Sequence, residues 1–143
     1  MASESRLFSL SHDTEQLIRK FRLGGAKLGN AYISFSINKQ THAIAASAGI
    51  EQIESVDDLV DDLPDNTPRY VLLTYALQYK NDSGRKADKL ALIYWIPRTA
   101  STEMATLYAS AKVWFQEKCD VAKVLEIREA DDLTEEFLEE RLR

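Results

Sequence analysis

Two segments, Arg69 to Tyr79 and Lys89 to Ile96, limit what this chain can fold into more than any other feature. Both are rich in aromatic and branched residues, and neither alternates apolar with polar positions. Strands of that kind are covered on both faces, so they require a further layer on each side of the sheet. Asn81-Asp82-Ser83-Gly84 lies between them and suits the turn of a hairpin. A one-sided packing is therefore excluded at the outset.

The remaining segments supply the layers. Leu17, Ile18 and Phe21 share one face of a helix from about Asp13 to Leu23, which Ser11 or Asp13 can cap and Gly24-Gly25 can end. Ala31, Ile33, Phe35 and Ile37 alternate with Tyr32, Ser34, Ser36 and Asn38, the pattern of a strand with one buried face. After the turn residues Asn38-Lys39-Gln40, His42 to Ala48 reads as its hairpin partner. Ser55 caps a short helix bearing Val56, Leu59, Val60 and Leu63, and Pro64 stops it. A long helix follows Pro97, capped by Ser101 or Thr102, with Met104, Leu107, Tyr108, Ala111 and Phe115 as its apolar stripe. Val121 to Ile127 is a last strand. Asp132 and Glu135 form a capping box for a final helix with Phe137, Leu138 and Leu142. The economical arrangement is α/β (α+β): a five-stranded mixed sheet with helices on both faces and one parallel, right-handed crossover at the end. Residues 1–143 form one domain, with residues 1–10 expected as a flexible N-terminal segment.

Charge narrows the class of partner. The chain carries 18 basic and 23 acidic side chains, a net charge of −5, which disfavours nucleic acid and anionic membrane as partners. Arg19, Lys20, Arg22 and Lys27 nevertheless make the early region basic, while Asp131, Asp132, Glu135, Glu136, Glu139 and Glu140 crowd the end. Two solvated faces or two partner surfaces both fit that polarity. No apolar run is long enough to span a membrane, and Met1 to Arg6 lacks a secretory core. A lone cysteine, Cys119, allows no intrachain disulfide and suits a reducing compartment.

Catalytic signatures are missing. Gly24 and Gly29 have the spacing of a phosphate loop, but Asn30-Ala31 stands where Lys-Ser/Thr is needed, so they read as a helix stop and a turn. His12 and His42 have no cysteine cluster for zinc, and Asp57, Asp58, Asp61 and Asp62 lack the pattern of a calcium loop. These acids read as the solvated side of the short helix. Lys118 beside Cys119 would lower the thiol pKa slightly, but no base accompanies it. Trp95 and Trp114 read as packing residues. The expectation is a monomeric binding module with no enzymatic activity, cofactor or metal.

Trp95-Ile96-Pro97 followed by Met104-Ala105-Thr106-Leu107-Tyr108-Ala109-Ser110-Ala111-Lys112 resembles the main binding helix of the ADF/cofilin (ADF-homology) superfamily. Within it, the chain is most similar to the glia maturation factor family. The likeness runs through Arg19-Lys20-Phe21-Arg22, Leu63-Pro64, Pro68-Arg69-Tyr70, Glu126-Ile127-Arg128, Asp132-Leu133-Thr134-Glu135-Glu136 and Leu138. One departure is Ala109-Ser110-Ala111, where animal members carry Ala-Gly-Ser. The resemblance implies binding to the actin-related protein 2/3 complex, inhibition of branch nucleation and promotion of debranching. It also implies a location in cytoplasmic actin patches or leading-edge networks, with the nucleus left open. The alternative is a cofilin- or coactosin-like filament-binding module.

Cofilin-type domains place basic side chains five and three residues before the helix tyrosine. Here those positions are Glu103 and Ala105, which disfavours binding to actin monomers and filament sides. The resemblance then assigns a first partner surface to Arg19, Lys20, Arg22, Glu103, Met104 and Lys112. It assigns a second to Arg85, Lys86, Glu135, Glu136 and Glu139. Ser3 is a candidate phosphosite, because added negative charge opposes docking on an acidic partner; a terminal serine without a role is the alternative.

Overall fold

The computed structural model describes residues 7–78 and 86–142. Among these, seven strands form one mixed sheet, flanked by two helices on each face. In chain order the elements are β1 (Ser9–Leu10), α1 (His12–Gly24), β2 (Ala31–Ile37), β3 (Ala43–Ala46), β4 (Glu51–Gln52) and α2 (Val56–Asp62). They continue with β5 (Arg69–Gln78), β6 (Lys86–Trp95), α3 (Thr102–Cys119), β7 (Val124–Ile127) and α4 (Glu135–Leu142). The spatial order is β1-β3-β2-β5-β6-β7, and β4 pairs with the start of β2. The β5–β6 pair is antiparallel over its whole described length, from Arg69↔Trp95 to Gln78↔Lys86, as the hairpin pattern predicts. The turn sequence Asn81 to Gly84 lies outside the described residues. β7 pairs parallel to β6, which gives the crossover through α3.

The lack of alternation in β5 and β6 has the expected cause. Tyr70, Leu72, Leu92 and Tyr94 face one core, joined by Ile18 and Phe21 of α1 and by Tyr108, Ala111 and Phe115 of α3. Val71, Leu73, Ala91, Ile93 and Trp95 face the other, with Val56 and Leu59 of α2 and Leu138 and Leu142 of α4. Ala31, Ile33, Phe35 and Ile37 all point into the first core, matching the period of two in β2.

The sheet has two more strands than the five expected. β1 and β4 are two residues each, too short to show any periodicity. Of the segment 1–10 expected to be flexible, β1 corrects the reading for residues 8–10, while residues 1–6 lie outside the described residues. Phe8 is buried, and Ser9–Leu10 pair in parallel with Ala43–Ile44. The final helix is capped differently from the expected Asp132 box. Ala130–Asp132 form a 3-10 turn, Leu133 is buried, and the Phe137 amide donates to Thr134 Oγ1 at 3.1 Å. Burying Leu133 interrupts the helix and moves the cap two residues on. The other caps are as expected: Thr14 N donates to Ser11 Oγ, Met104 N to Ser101 Oγ, and Ser55 N to Asp58 Oδ2.

One helix side chain completes the sheet. The Ile37 amide points away from β3, beyond the last β2–β5 pair at Phe35↔Tyr70. It donates instead to the buried Tyr108 hydroxyl at 2.9 Å, while Arg69 Nη1 donates to the nearby Pro68 carbonyl at 2.7 Å. Tyr108→Phe keeps the ring and strands that amide, so it should cost about 1–3 kcal/mol in denaturant unfolding. A change below a few tenths of a kcal/mol would show that the hydroxyl serves no such purpose.

Candidate partner-binding surfaces

The long helix α3 is 18 residues, about 27 Å at the usual rise, and its two sides differ sharply. Tyr108, Ala111, Trp114, Phe115 and Cys119 are buried, whereas Thr102, Glu103, Thr106, Ala109, Ser110 and Val113 are exposed. The outward side is mostly small residues, which lets a partner approach the helix backbone closely. Met104 and Leu107 are half-buried at the margin, so Leu107 is less enclosed than its place in the apolar stripe predicts. Trp95 is buried in the second core and donates from Nε1 to the Pro64 carbonyl at 2.8 Å.

The predicted first surface is spread along α3. Glu103 stands at its start, 73% exposed, and pairs with Lys39 of the β2–β3 turn at 3.4 Å. Ala105, the second position of the missing basic pair, is half-buried against the first core and is not equivalent to Glu103. Lys112 lies over the Tyr94 ring at 5.6 Å, halfway along the helix. Burial, then Glu126, raises the Tyr94 hydroxyl pKa, and Arg128 partly offsets this. Arg22 pairs at 3.2 Å with Asp120, the left-handed residue that ends α3. Arg22 and Glu103 are therefore about 25 Å apart along α3. Arg19 and Lys20 are exposed on α1. The six residues lie on one face of the sheet but do not form one patch.

The second surface is on the opposite face. Glu135 and Glu139 sit one turn apart on α4 beside Tyr75 of β5, whose hydroxyl pKa is raised by burial and then by these two carboxylates. Glu136 is exposed. Tyr75 is opposite Lys89, and Lys86 lies three residues further along β6, so α4 starts beside the arm that carries Lys86. Arg85 and Ser3 lie outside the described residues.

Other singled-out residues have structural uses. Asp58 accepts from the amides of Glu54 and Ser55, and Asp62 accepts from the Tyr32 hydroxyl, so two of the four α2 acids do more than solvate a helix. His42 adopts φ 61°, stacks on Phe8 at 5.4 Å and donates from Nδ1 to the Leu7 carbonyl at 3.2 Å, holding the N-terminal strand. Among the described residues, no group of three or more His, Cys, Asp or Glu side chains is arranged to hold a metal ion. Gly29 has φ +64°, the turn expected of it.

Cys119 is the packed thiol that the lack of a base predicts, but Lys118 does not lower its pKa. Lys118 points over the Trp114 ring at 5.4 Å, and burial pushes the thiol up from 9.0 to about 12, with Arg22 opposing weakly. The folded protein should therefore resist iodoacetamide at pH 8 and react only when denatured. Above pH 9 an unfolded chain releases this proton while the folded one keeps it up to about pH 12. Stability should thus fall as pH rises through that window, by at most about 1.4 kcal/mol per pH unit from this group. Rapid alkylation of the native protein would contradict the burial.

Sequence reasoning missed Lys39, which reaches Glu103 across 64 positions in the chain. It also missed how Leu23 and Lys27 combine with Arg19 and Lys20. Leu23 is 78% exposed at an i+4 position from Arg19, a spacing that could have drawn attention to it.

Residues 7–143 match the family described as cofilin/tropomyosin-type actin-binding protein. The chain is 33% identical over 141 residues to a glia maturation factor of Drosophila melanogaster, covering 99% of each chain. It is 34% identical over 133 residues to glia maturation factor beta of Homo sapiens, covering 93% of this chain and 91% of the other. The solution structure of glia maturation factor from Caenorhabditis elegans superposes with a TM-score of 0.79 at 25% identity, covering 99% of both chains.

Proposed function

This chain belongs to the glia maturation factor family of cofilin/tropomyosin-type actin-binding proteins, and from that membership we propose that it acts on branched actin networks. It binds the actin-related protein 2/3 complex, inhibits nucleation of new branches and promotes release of existing ones, in the cytoplasm where such networks assemble. The observation that carries the reading is Glu103. A docking helix with small exposed residues carries, at its exposed start, an anion where filament-binding relatives carry a cation. Against an acidic actin surface this removes an attraction and adds repulsion.

The outward side of α3 docks in the groove of an actin-like subunit, with Met104 at the apolar margin and Lys112 on the flank. Arg19 and Lys20 of α1 add a separate basic contact. Glu135, Glu136 and Glu139 on the opposite face meet a neighbouring filament subunit, which a branch junction presents and the free complex does not. Pull-down of the complex compared with filament cosedimentation tests the first part. Capture of the complex with little filament binding is expected, and strong cosedimentation without capture overturns the reading. Alanine at Glu135, Glu136 and Glu139 together should lengthen branch lifetimes in single-filament microscopy while leaving capture of free complex intact. Normal debranching by that variant would remove the second surface from the mechanism.

A further inference from the structure

The last turn of α1 carries a feature that the basic cluster alone does not explain. Gln16, Arg19, Lys20, Leu23, Gly24 and Lys27 line a shallow groove of about 420 Å³. Leu23 is 78% exposed within it, with cations one turn before and one turn after. Single exposed leucines are common on protein surfaces. What distinguishes this one is the ring of charge around it in a chain whose net charge is −5. Arg19, Lys20 and Lys27 have no ion-pair partner among the described residues, whereas Arg22, turned the other way, is bound to Asp120.

Gly24, the last residue of α1, and Lys27 beyond it extend the groove. After Gly24 the chain tightens into a 3-10 turn, Gly25–Leu28, and Leu28 folds back onto the first core. A Cβ at Gly24 would lie 2.6 Å from the Leu28 Cγ and Cδ1 atoms, so a larger residue there requires the Leu28 side chain to shift. Within that turn, Lys27 lines the groove together with Arg19 and Lys20.

We propose that Leu23, ringed by Arg19, Lys20 and Lys27, receives an acidic protein segment carrying one bulky apolar side chain. The assignment rests on α1 being part of the partner-binding surface and names what that part recognises. Carboxylates complement the three cations, which have no ion-pair partner among the described residues, and the apolar side chain covers Leu23 and removes it from water. A peptide fits better than an anionic membrane. Membrane surfaces select clusters of roughly four to eight basic residues, whereas this site is a concave groove with three.

The probe is a fluorescein-labelled synthetic peptide with aspartates flanking one leucine, followed by fluorescence anisotropy on the full chain. Micromolar binding is expected. Leu23→Ala should weaken it about fivefold at any salt concentration, because the lost contact is apolar. Lys27→Glu should weaken it about tenfold at low salt, with the effect shrinking as salt screens exposed charges. Replacing the peptide leucine by alanine should reproduce the Leu23→Ala loss. Peptide binding indifferent to both protein substitutions overturns the proposal. So does binding of phosphatidylserine vesicles, but not of peptide, through the same residues. Complex capture by the same variants separates the two readings. Peptide binding through Leu23 and Lys27 without any complex capture by the unsubstituted protein removes the proposed function and leaves the groove. Complex capture by the unsubstituted protein, with peptide binding indifferent to the substitutions, removes the groove and leaves the function.

Discussion

Phe115→Ala is expected to destabilise the protein by about 3–5 kcal/mol, the range for truncating a fully buried aromatic side chain. Phe115 is fully buried, stacks on Tyr70 at 4.9 Å and meets Phe35 edge-on at 4.9 Å. Its ring joins α3 to both β2 and β5, and Tyr70 also donates from its hydroxyl to the Tyr108 carbonyl. Alanine would remove two aromatic contacts and leave a cavity that three elements must collapse around. For a chain of this size the melting temperature should fall by about 10 °C or more. Val113→Ala on the same helix is the control. Val113 is 55% exposed, so its loss should stay within about 0.5 kcal/mol. Denaturant unfolding of both variants decides it: similar small losses would mean that α3 is held to the sheet by something other than this aromatic cluster.

The same contacts explain which parts of the molecule could be read from the sequence. The two-sided burial of β5 and β6 is written in their unbroken apolar runs, and it alone forces helices on both faces. The α3 stripe and the β2 alternation are long enough for their periods to be unmistakable. β1 and β4 are two residues each and exist only because β3 and β2 offer them an edge, which no local pattern records. The cap at Thr134 was hidden for a related reason: Asp132 has the better local signature, but tertiary burial of Leu133 decides where the helix starts.

Site geometry was less legible than the fold. The residues assigned by resemblance are present, but their distribution over both ends of α3 and both faces of the sheet depends on packing. Arg22 looks equivalent to Arg19 and Lys20 in the sequence. In the structure a carboxylate across the fold, Asp120, pairs with Arg22, while the 3-10 turn after Gly24 brings Lys27 to the groove lined by Arg19 and Lys20. Lys118 beside Cys119 suggested a slightly lowered thiol pKa, and burial reverses the direction of the shift. Nearest neighbours in sequence predicted charge environments poorly, because ion pairs form across the fold.

Glu103→Lys should shift the partner preference of the docking helix more than any other single change. Glu103 is 73% exposed, so a lysine fits without disturbing the core, and the Lys39 pair it breaks is an exposed one worth little to stability. The new cation would stand beside Lys39, turning a neutral pair into a basic patch at the start of α3. Ala105→Lys is not an equivalent change. Ala105 packs against the first core, and a lysine there must thread its stem out to solvent before its charge is of use. For Glu103→Lys, filament cosedimentation relative to complex capture should rise about tenfold, roughly 1.4 kcal/mol of changed preference. The gain should shrink as ionic strength rises, because both charges are exposed. Restoring glutamate at 103 while changing Lys39→Glu separates local from general charge effects: it should depress filament binding further if this corner faces the partner. Binding ratios that stay constant across all three proteins would take Glu103 off the interface and remove the observation on which the choice between filament and branch complex rests.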